Sequence, residues 1–396
     1  MSNTQKKNVP ELRFPGFEGE YSLDIFGNLA TNKSDKFNPQ NENASIDIEL
    51  DCIEQNTGRL IKIYNSKEFS SQKNKFNPQN VLYGKLRPYL NKYYFTKKSG
   101  VCSSEIWVLK SMKEDKLLNL FLYYFIQTKR YSDVASKSAG SKMPRADWGL
   151  IENIRVYFPE LCEQQKIGEF FSKLDRQIEL EEQKLELLQQ QKKGYMQKIF
   201  SQELRFKDEN GNDYPEWVVK LIGDIGKVAM NKRIYKHETS ANEEIPFYKI
   251  GNFGKKADTF ISREQFNEYK EKYPYPKKGD ILISASGSIG KTIEYKGEEA
   301  YYQDSNIVWL DHNEEVLNVF LKYFYILVKW NGVEGTTIKR LYNKNILNTK
   351  IDLPTISEQQ KIGDFFCYID NLIEIQEQKL EFLKRRKQSL LQKMFV

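Results

Sequence analysis

The chain of 396 residues holds only two histidines, His237 and His312, so an imidazole-based metal or acid–base centre is not expected. Its four cysteines, Cys52, Cys102, Cys162 and Cys367, are scattered without C-x-x-C spacing. That argues against a zinc site or a disulfide framework and for buried thiols in a reducing cytoplasm. Long hydrophobic runs are missing too. Nothing approaches the roughly 20 apolar residues that cross a bilayer, and the opening from Met1 to Val9 is polar, unlike a secretory signal. Carboxylates are plentiful, but none sits in a distinctive catalytic motif, and no Gly-rich cofactor loop accompanies them. No metal and no cofactor is expected on this chain.

What is present is globular and mildly basic. Hydrophobic residues make up 39% and aromatics 13%, and the formal net charge is +7. The length is enough for two domains, each with its own core, and the charge is compatible with an anionic partner.

The dominant feature is a repeat. Glu163-Gln164-Gln165-Lys166-Ile167-Gly168 returns letter for letter as Glu358-Gln359-Gln360-Lys361-Ile362-Gly363. Phe170-Phe171 matches Phe365-Phe366, and the run Glu182 to Glu186 matches Glu377 to Glu381. Upstream, Pro159 pairs with Pro354, Arg145 with Arg340 and Gly140 with Gly335, while Glu11-Leu12-Arg13-Phe14 returns as Glu203-Leu204-Arg205-Phe206. Such a duplication predicts two similar bodies about a rough twofold axis, a symmetry that duplex DNA shares. The plainer alternative, a duplication kept for stability alone, does not explain why the C-terminal part of each half stays alike while the rest diverges.

Those C-terminal parts read as helices. Ile167, Phe171, Leu174, Ile178, Leu185 and Leu188, then Ile362, Phe366, Ile369, Ile373, Leu380 and Leu383, step by four and three around polar seam positions at Glu181 and Lys192, Gln376 and Lys387. The heptad spacing predicts a coiled coil. About 38 residues give a rod of roughly 57 Å, bounded upstream by Pro159 and Pro354. The alternative is a core helix in each domain, but a core helix needs a wide apolar face, and the outer positions here are Glu, Gln, Lys and Arg. The two seams are expected to pack antiparallel and to hold the bodies at a set separation. The predicted fold class is mixed α/β (α+β), two bodies in tandem at 1–160 and 202–356, with helices at 161–201 and 357–396.

Within the bodies, Val81-Leu82-Tyr83, Glu105 to Leu109, Asp280 to Ser284 and Asn306 to Leu310 read as strands, and Leu117 to Gln127 and Val316 to Lys329 as helices. The repeat aligns two basic loops. One carries Lys137, Ser141, Lys142 and Arg145, and the other Thr336, Thr337, Lys339, Arg340, Tyr342 and Lys344. Arginine can grip guanine in two places and lysine neutralises phosphate, so these loops are candidates for DNA contact. Each is otherwise a solvated surface turn. Lys85, Arg87 and Tyr89, and Ser284, Ser286, Ser288 and Lys291, follow matching strands and are weaker candidates.

Two patterns mimic enzymes. Ala285 to Thr292 fits a loose phosphate-loop spacing with Lys291 in place, but Ile293 to Gly297 read as strand and turn, whereas a phosphate loop must open a helix. Asn38-Pro39-Gln40 and Asn77-Pro78-Gln79 share the first two letters of an adenine-methyltransferase signature and lack its stacking aromatic. No catalytic constellation remains.

The duplicated helix motif, the Glu11-Leu12-Arg13-Phe14-Pro15 opening, the Leu204-Arg205-Phe206 to Tyr214-Pro215-Glu216-Trp217 junction and the Gly279-Asp280-Ile281-Leu282 run together resemble the DNA-specificity subunit of type I restriction–modification systems, over essentially the whole chain. The resemblance implies two target-recognition domains, each reading one half of a split site in double-stranded DNA, with helices that set the unread spacer. It implies partners as well: two methyltransferase subunits that carry S-adenosylmethionine and modify adenine, and up to two restriction subunits that use ATP and Mg. This chain would be non-catalytic, cytoplasmic and free of membrane. Competing readings are a stand-alone DNA-binding regulator, a nucleotide hydrolase using Lys291, and a protein-only scaffold built on the helices.

Overall fold

Two long helices organise the molecule, and their sequence explains their length. Leu161–Phe200 and Ile356–Met394 contain no proline, and their apolar residues recur at helical spacing. In the computed structural model, which describes residues 8–38, 40–44, 46–68, 71–137, 143–330 and 340–396, they run 40 and 39 residues. The chain forms two compact units. One is Met1–Lys184 with Gln376–Val396, and the other is Leu185–Ile375. Each long helix therefore serves first one unit and then the other.

Inside each unit the two helix segments run antiparallel. In the first, Gln376 donates to the Glu181 carbonyl (2.9 Å), Lys387 pairs with Asp175 (2.6 Å), and the Phe395 ring lies 6.3 Å from Phe171. In the second, Lys192 pairs with Asp370 (2.5 Å) and Tyr195 meets Phe365 edge-on at 5.3 Å. The polar seam positions are thus cross-helix contacts. Lys387 and Lys192 occupy equivalent places, and in each unit the aspartate also accepts from a tyrosine of the body, Tyr124 (3.0 Å) or Tyr323 (2.8 Å). Burial and the neighbouring carboxylate push both phenols well above the usual tyrosine range.

The apolar seam does more than join helices. Ile167, Phe171 and Leu174 share one core with Phe121, Phe125, Leu391 and Phe395, and Ile362, Phe366 and Ile369 share another with Met196, Ile199, Trp217 and Phe320. Ile178, Leu185, Leu188 and Ile373 are partly buried, and Leu380 and Leu383 are buried. The opening turns of each long helix are therefore core helices of a body, and the later turns supply the coiled-coil partner.

Among the described residues the bodies share one strand plan. The first has an antiparallel sheet ordered Ala30–Thr31, Ile106–Ser111, Val81–Gly84, Tyr93–Phe95, and the second orders Gly226–Ala229, Ile307–His312, Ile281–Ser284, Thr292–Glu294 in the same way. The registers correspond: Tyr83 faces Trp107, and Ile283 faces Val308. The alternating aromatic and branched residues of these strands bury both faces, because the helices Asn119–Phe125 and Asn318–Leu327 cover one side and a smaller sheet covers the other. The expected strands and helices are present, with ends shifted by one to two residues: the helices are shorter at both ends, and strands Val81–Gly84, Ile106–Ser111 and Ile307–His312 run on further than expected. The bodies differ at the periphery. The first has an extra helix, Lys129–Ala135, and the second has Arg263–Lys272. No described helix is long and apolar enough to cross a membrane.

The repeated six-letter motif is the weld between helix and body. Glu163 is buried and takes two bonds from Arg13, 2.9 and 2.7 Å, plus one from the Tyr21 hydroxyl. Glu358 takes the same two from Arg205 and one from the Trp217 indole, 3.0 Å. The carboxylate holds the Arg13 guanidinium above its usual range. Gln164 accepts from the Leu118 amide and donates to the Lys116 and Pro159 carbonyls. Gln359 does likewise with Leu317, Glu315 and Pro354. Each glutamine thereby satisfies backbone groups that helix and strand ends leave open. Lys166 lies over Phe14 and Phe17, and Lys361 over Tyr214. Ile167 and Ile362 enter the cores, and glycine ends the motif because the body helix presses against it.

That last contact is testable. A Cβ at Gly363 would sit 2.5 Å from both Val319 methyls, and valine has little rotamer freedom with which to yield. Gly363→Ala is expected to cost about 1–3 kcal/mol in urea unfolding, as overpacking does. Gly194, on the same kind of helix, has nothing within 4 Å, so Gly194→Ala should stabilise by about 1 kcal/mol. Equal effects of the two changes would contradict this packing.

Candidate nucleic-acid interface

In each body the sheet hairpin next to the central strand turns at the surface, and a second loop pairs with its edge. In the first body the Lys85 amide donates to the Glu105 carbonyl (3.0 Å), the Ala146 amide to the Lys85 carbonyl (2.8 Å), and Leu86 bridges to Arg145. In the second, the Ala285 amide donates to the Asn306 carbonyl (2.7 Å), the Leu341 amide to the Ala285 carbonyl (2.8 Å), and Ser286 bridges to Arg340. This equates Lys85 with Ala285, Leu86 with Ser286, Arg145 with Arg340 and Glu105 with Asn306. The loops that the repeat aligned are thus brought against the hairpins that followed the matching strands.

The side chains on this shared frame are unlike. Arg145 grips the Glu105 carboxylate with Nε (3.0 Å) and Nη2 (3.3 Å). Arg340 instead donates to the Ser305 carbonyl (3.0 Å) and lies 5.9 Å over the Tyr342 ring. Ser305, whose carbonyl accepts this bond, has a left-handed backbone, φ 53°. Asn306 is held by the Ser286 hydroxyl at 2.7 Å. A cavity of about 630 Å³ opens here, lined by Met230, Ser305, Arg340, Tyr342 and Lys344 among others.

The remaining candidates fall in three groups. Arg87, Tyr89, Lys137, Ser288, Tyr342 and Lys344 are exposed, and Lys85 is half-buried at the hairpin mouth. Arg87 is left-handed, φ 52°, and its amide donates to the Pro144 carbonyl, which ties it to the Arg145 loop. Ser284 and Ser286 are buried and bonded inside the turn, to the Ser288 carbonyl and to Asn306, so their hydroxyls face inward rather than toward a ligand. Lys291 is exposed, and its ammonium donates back to the Phe253 carbonyl at 2.7 Å. Ser141, Lys142, Thr336, Thr337 and Lys339 lie outside the described residues.

The phosphate-loop mimic is a hairpin tip. Strand Ile281–Ser284 leads to strand Thr292–Glu294, and no helix begins at Lys291. Lys92 of the first body makes the matching contact, to the Leu50 carbonyl, so this lysine is a hairpin fastener in both bodies.

Sequence reading missed one basic segment. Met230 to His237 follows strand Gly226–Ala229 and carries Lys232, Arg233, Lys236 and His237. Arg233 pairs with Asp304 at 3.0 Å, so this segment reaches the same turn as Arg340. The Tyr235 and His237 rings stack at 5.9 Å, and Tyr235 is exposed. The signal was present: Ala229-Met230-Asn231-Lys232 repeats Ala30-Thr31-Asn32-Lys33.

Similarity to known proteins follows the two bodies. Residues 20–190 and 214–385 each match the type I restriction modification DNA specificity domain. The chain belongs to that family. A Haemophilus influenzae chain assigned as a type I restriction enzyme specificity subunit is 42% identical over 261 residues, 63% of each chain, so the match spans less than two thirds of that relative. The MjaVIII specificity subunit of Methanocaldococcus jannaschii is 27% identical over 75% of this chain and 74% of its own. The fold is that of the type I restriction–modification S subunit from M. genitalium (TM-score 0.58, 17% identity, 98% of this chain and 99% of that one). It is also that of a chain solved to describe complex assembly and conformational transition of the type I restriction–modification system (0.59, 17%, 94% and 97%).

Lys291→Ala should lower the stability of the second body by about 1 kcal/mol, the usual worth of one such hydrogen bond. Nucleotide hydrolysis should be absent before and after the change. Hydrolysis that Lys291→Ala abolishes would revive the nucleotide-site reading.

Proposed function

We propose that the chain confers sequence specificity on a type I restriction–modification complex without catalysing a step itself. Each body reads one half of a bipartite DNA target. The observation that carries this reading is the matched arginine-bearing ribbon of the two bodies, identical in backbone bonding and unlike in side chains. One frame with two side-chain sets is what two different half-sites require. Base edges are read by arginine, asparagine and acidic side chains, while the lysines around them bind phosphate without regard to sequence.

The long helices serve as spacer and dock. Leu180 and Ile375, and Leu187 and Phe382, are equivalent pairs in the repeat, and all four are exposed, between 48% and 61%. Large apolar side chains exposed at seven-residue spacing on a helix favour a helical partner. The methyltransferase subunits, which carry S-adenosylmethionine and act on adenine, are the partners proposed for these faces, with ATP-dependent restriction subunits joining them. The chain itself takes no cofactor in this reading.

Exchanging residues 1–160 for those of a relative should change one half of the methylated target and leave the other intact. A target altered in both halves, or in neither, would refute the division of labour. Phe382→Asp should weaken co-purification with the methyltransferase subunits while the unfolding curve of the chain stays in place. Undiminished assembly would remove the dock from that face. Arg340→Ala should relax one half-site by about 1–3 kcal/mol, and equal loss on unrelated duplexes would reduce Arg340 to a phosphate contact.

A further inference from the structure

The ribbon of the first body carries a carboxylate where the second carries an amide, at one backbone position defined by the same bonds. Glu105 sits in the turn ahead of strand Ile106–Ser111, its side chain 28% exposed beside the 48% exposed Arg145. Two bonds to the guanidinium fix the plane of the carboxylate. Its counterpart Asn306 is neutral, with its carbonyl taken up by the Ser286 hydroxyl.

A fixed anion on a DNA-facing edge cannot rest on phosphate, which carries the same charge. Nor can it face the keto oxygen of guanine or thymine. On the major-groove base edges it accepts only from an exocyclic amino group. Adenine places the N7 acceptor next to its amino group, and that lone pair repels a carboxylate. Cytosine offers N4 without an adjacent acceptor in the major groove. Resting on the half-site reading above, we propose that Glu105 is a specificity-determining residue of the first body that accepts from cytosine N4, with Arg145 as its positioning partner. The second body carries the neutral amide of Asn306 at this place, so the two half-sites differ at the base pair that meets it.

The test uses the full chain in complex with its methyltransferase subunits, titrated against a panel of duplexes that each change one base pair of the mapped target. Glu105→Gln and Glu105→Ala should lose about 10- to 100-fold of the discrimination at a single C·G pair in one half, the range of one good base contact. Penalties in the other half should stay as they were. Asn306→Ala should leave that C·G pair untouched. The proposal is overturned if Glu105→Gln weakens all duplexes alike, changes nothing, or relaxes an A·T pair. A wild-type complex that binds every duplex equally would instead overturn the half-site reading on which the proposal rests.

Discussion

A carboxylate buried on the first turn of each long helix governs the rest of the fold. Glu163 and Glu358 are almost fully shielded from water, and each is neutralised by one arginine that arrives from a distant, unhelical segment. An isolated buried charge is intolerable, and removing one partner of such a pair typically costs about 3–5 kcal/mol. The geometry of the pair is therefore not negotiable. It fixes where the segments around Arg13 and Arg205 lie, and the neighbouring glutamines then lock the body helix to the same turns. The inward-facing letters of the repeat make their contacts within the chain. They keep a divergent body seated on a standard helix.

With the seat fixed, the bodies are free to vary where they face outward. Strand order and register are shared, and so is the backbone bonding that brings a hairpin and a second loop together. What changes is the side chain mounted there: Glu105 with Arg145 in one body, and Asn306, Arg340 and Tyr342 in the other. Family membership and this division between constant frame and variable tip point the same way.

The helices, the repeat and most strands were legible because each rests on local periodicity. The apolar steps from Ile167 to Leu188 report a helix whatever lies beside them. What those residues touch was not legible. Phe171 and Phe366 pack into bodies as well as coils, since periodicity records a buried face and not its partner. The same holds at the interface. Pairing Arg145 with Arg340 needed only the repeat, whereas Glu105 lay in an expected strand and showed no sign of facing Arg145 across 40 residues. At Ser284 and Lys291 the reverse holds: a sequence shows a hydroxyl and an ammonium group but not the turn that each one fastens.

The central claim is that two unlike recognition surfaces on one chain direct a reaction carried out by other subunits. Mapping methylated adenines in cells that express the modification subunits with and without this chain tests it most directly. The account expects a bipartite motif of two different halves around an unread spacer, present only with the chain. Methylation that persists without the chain, or a motif that is one continuous word, would contradict it.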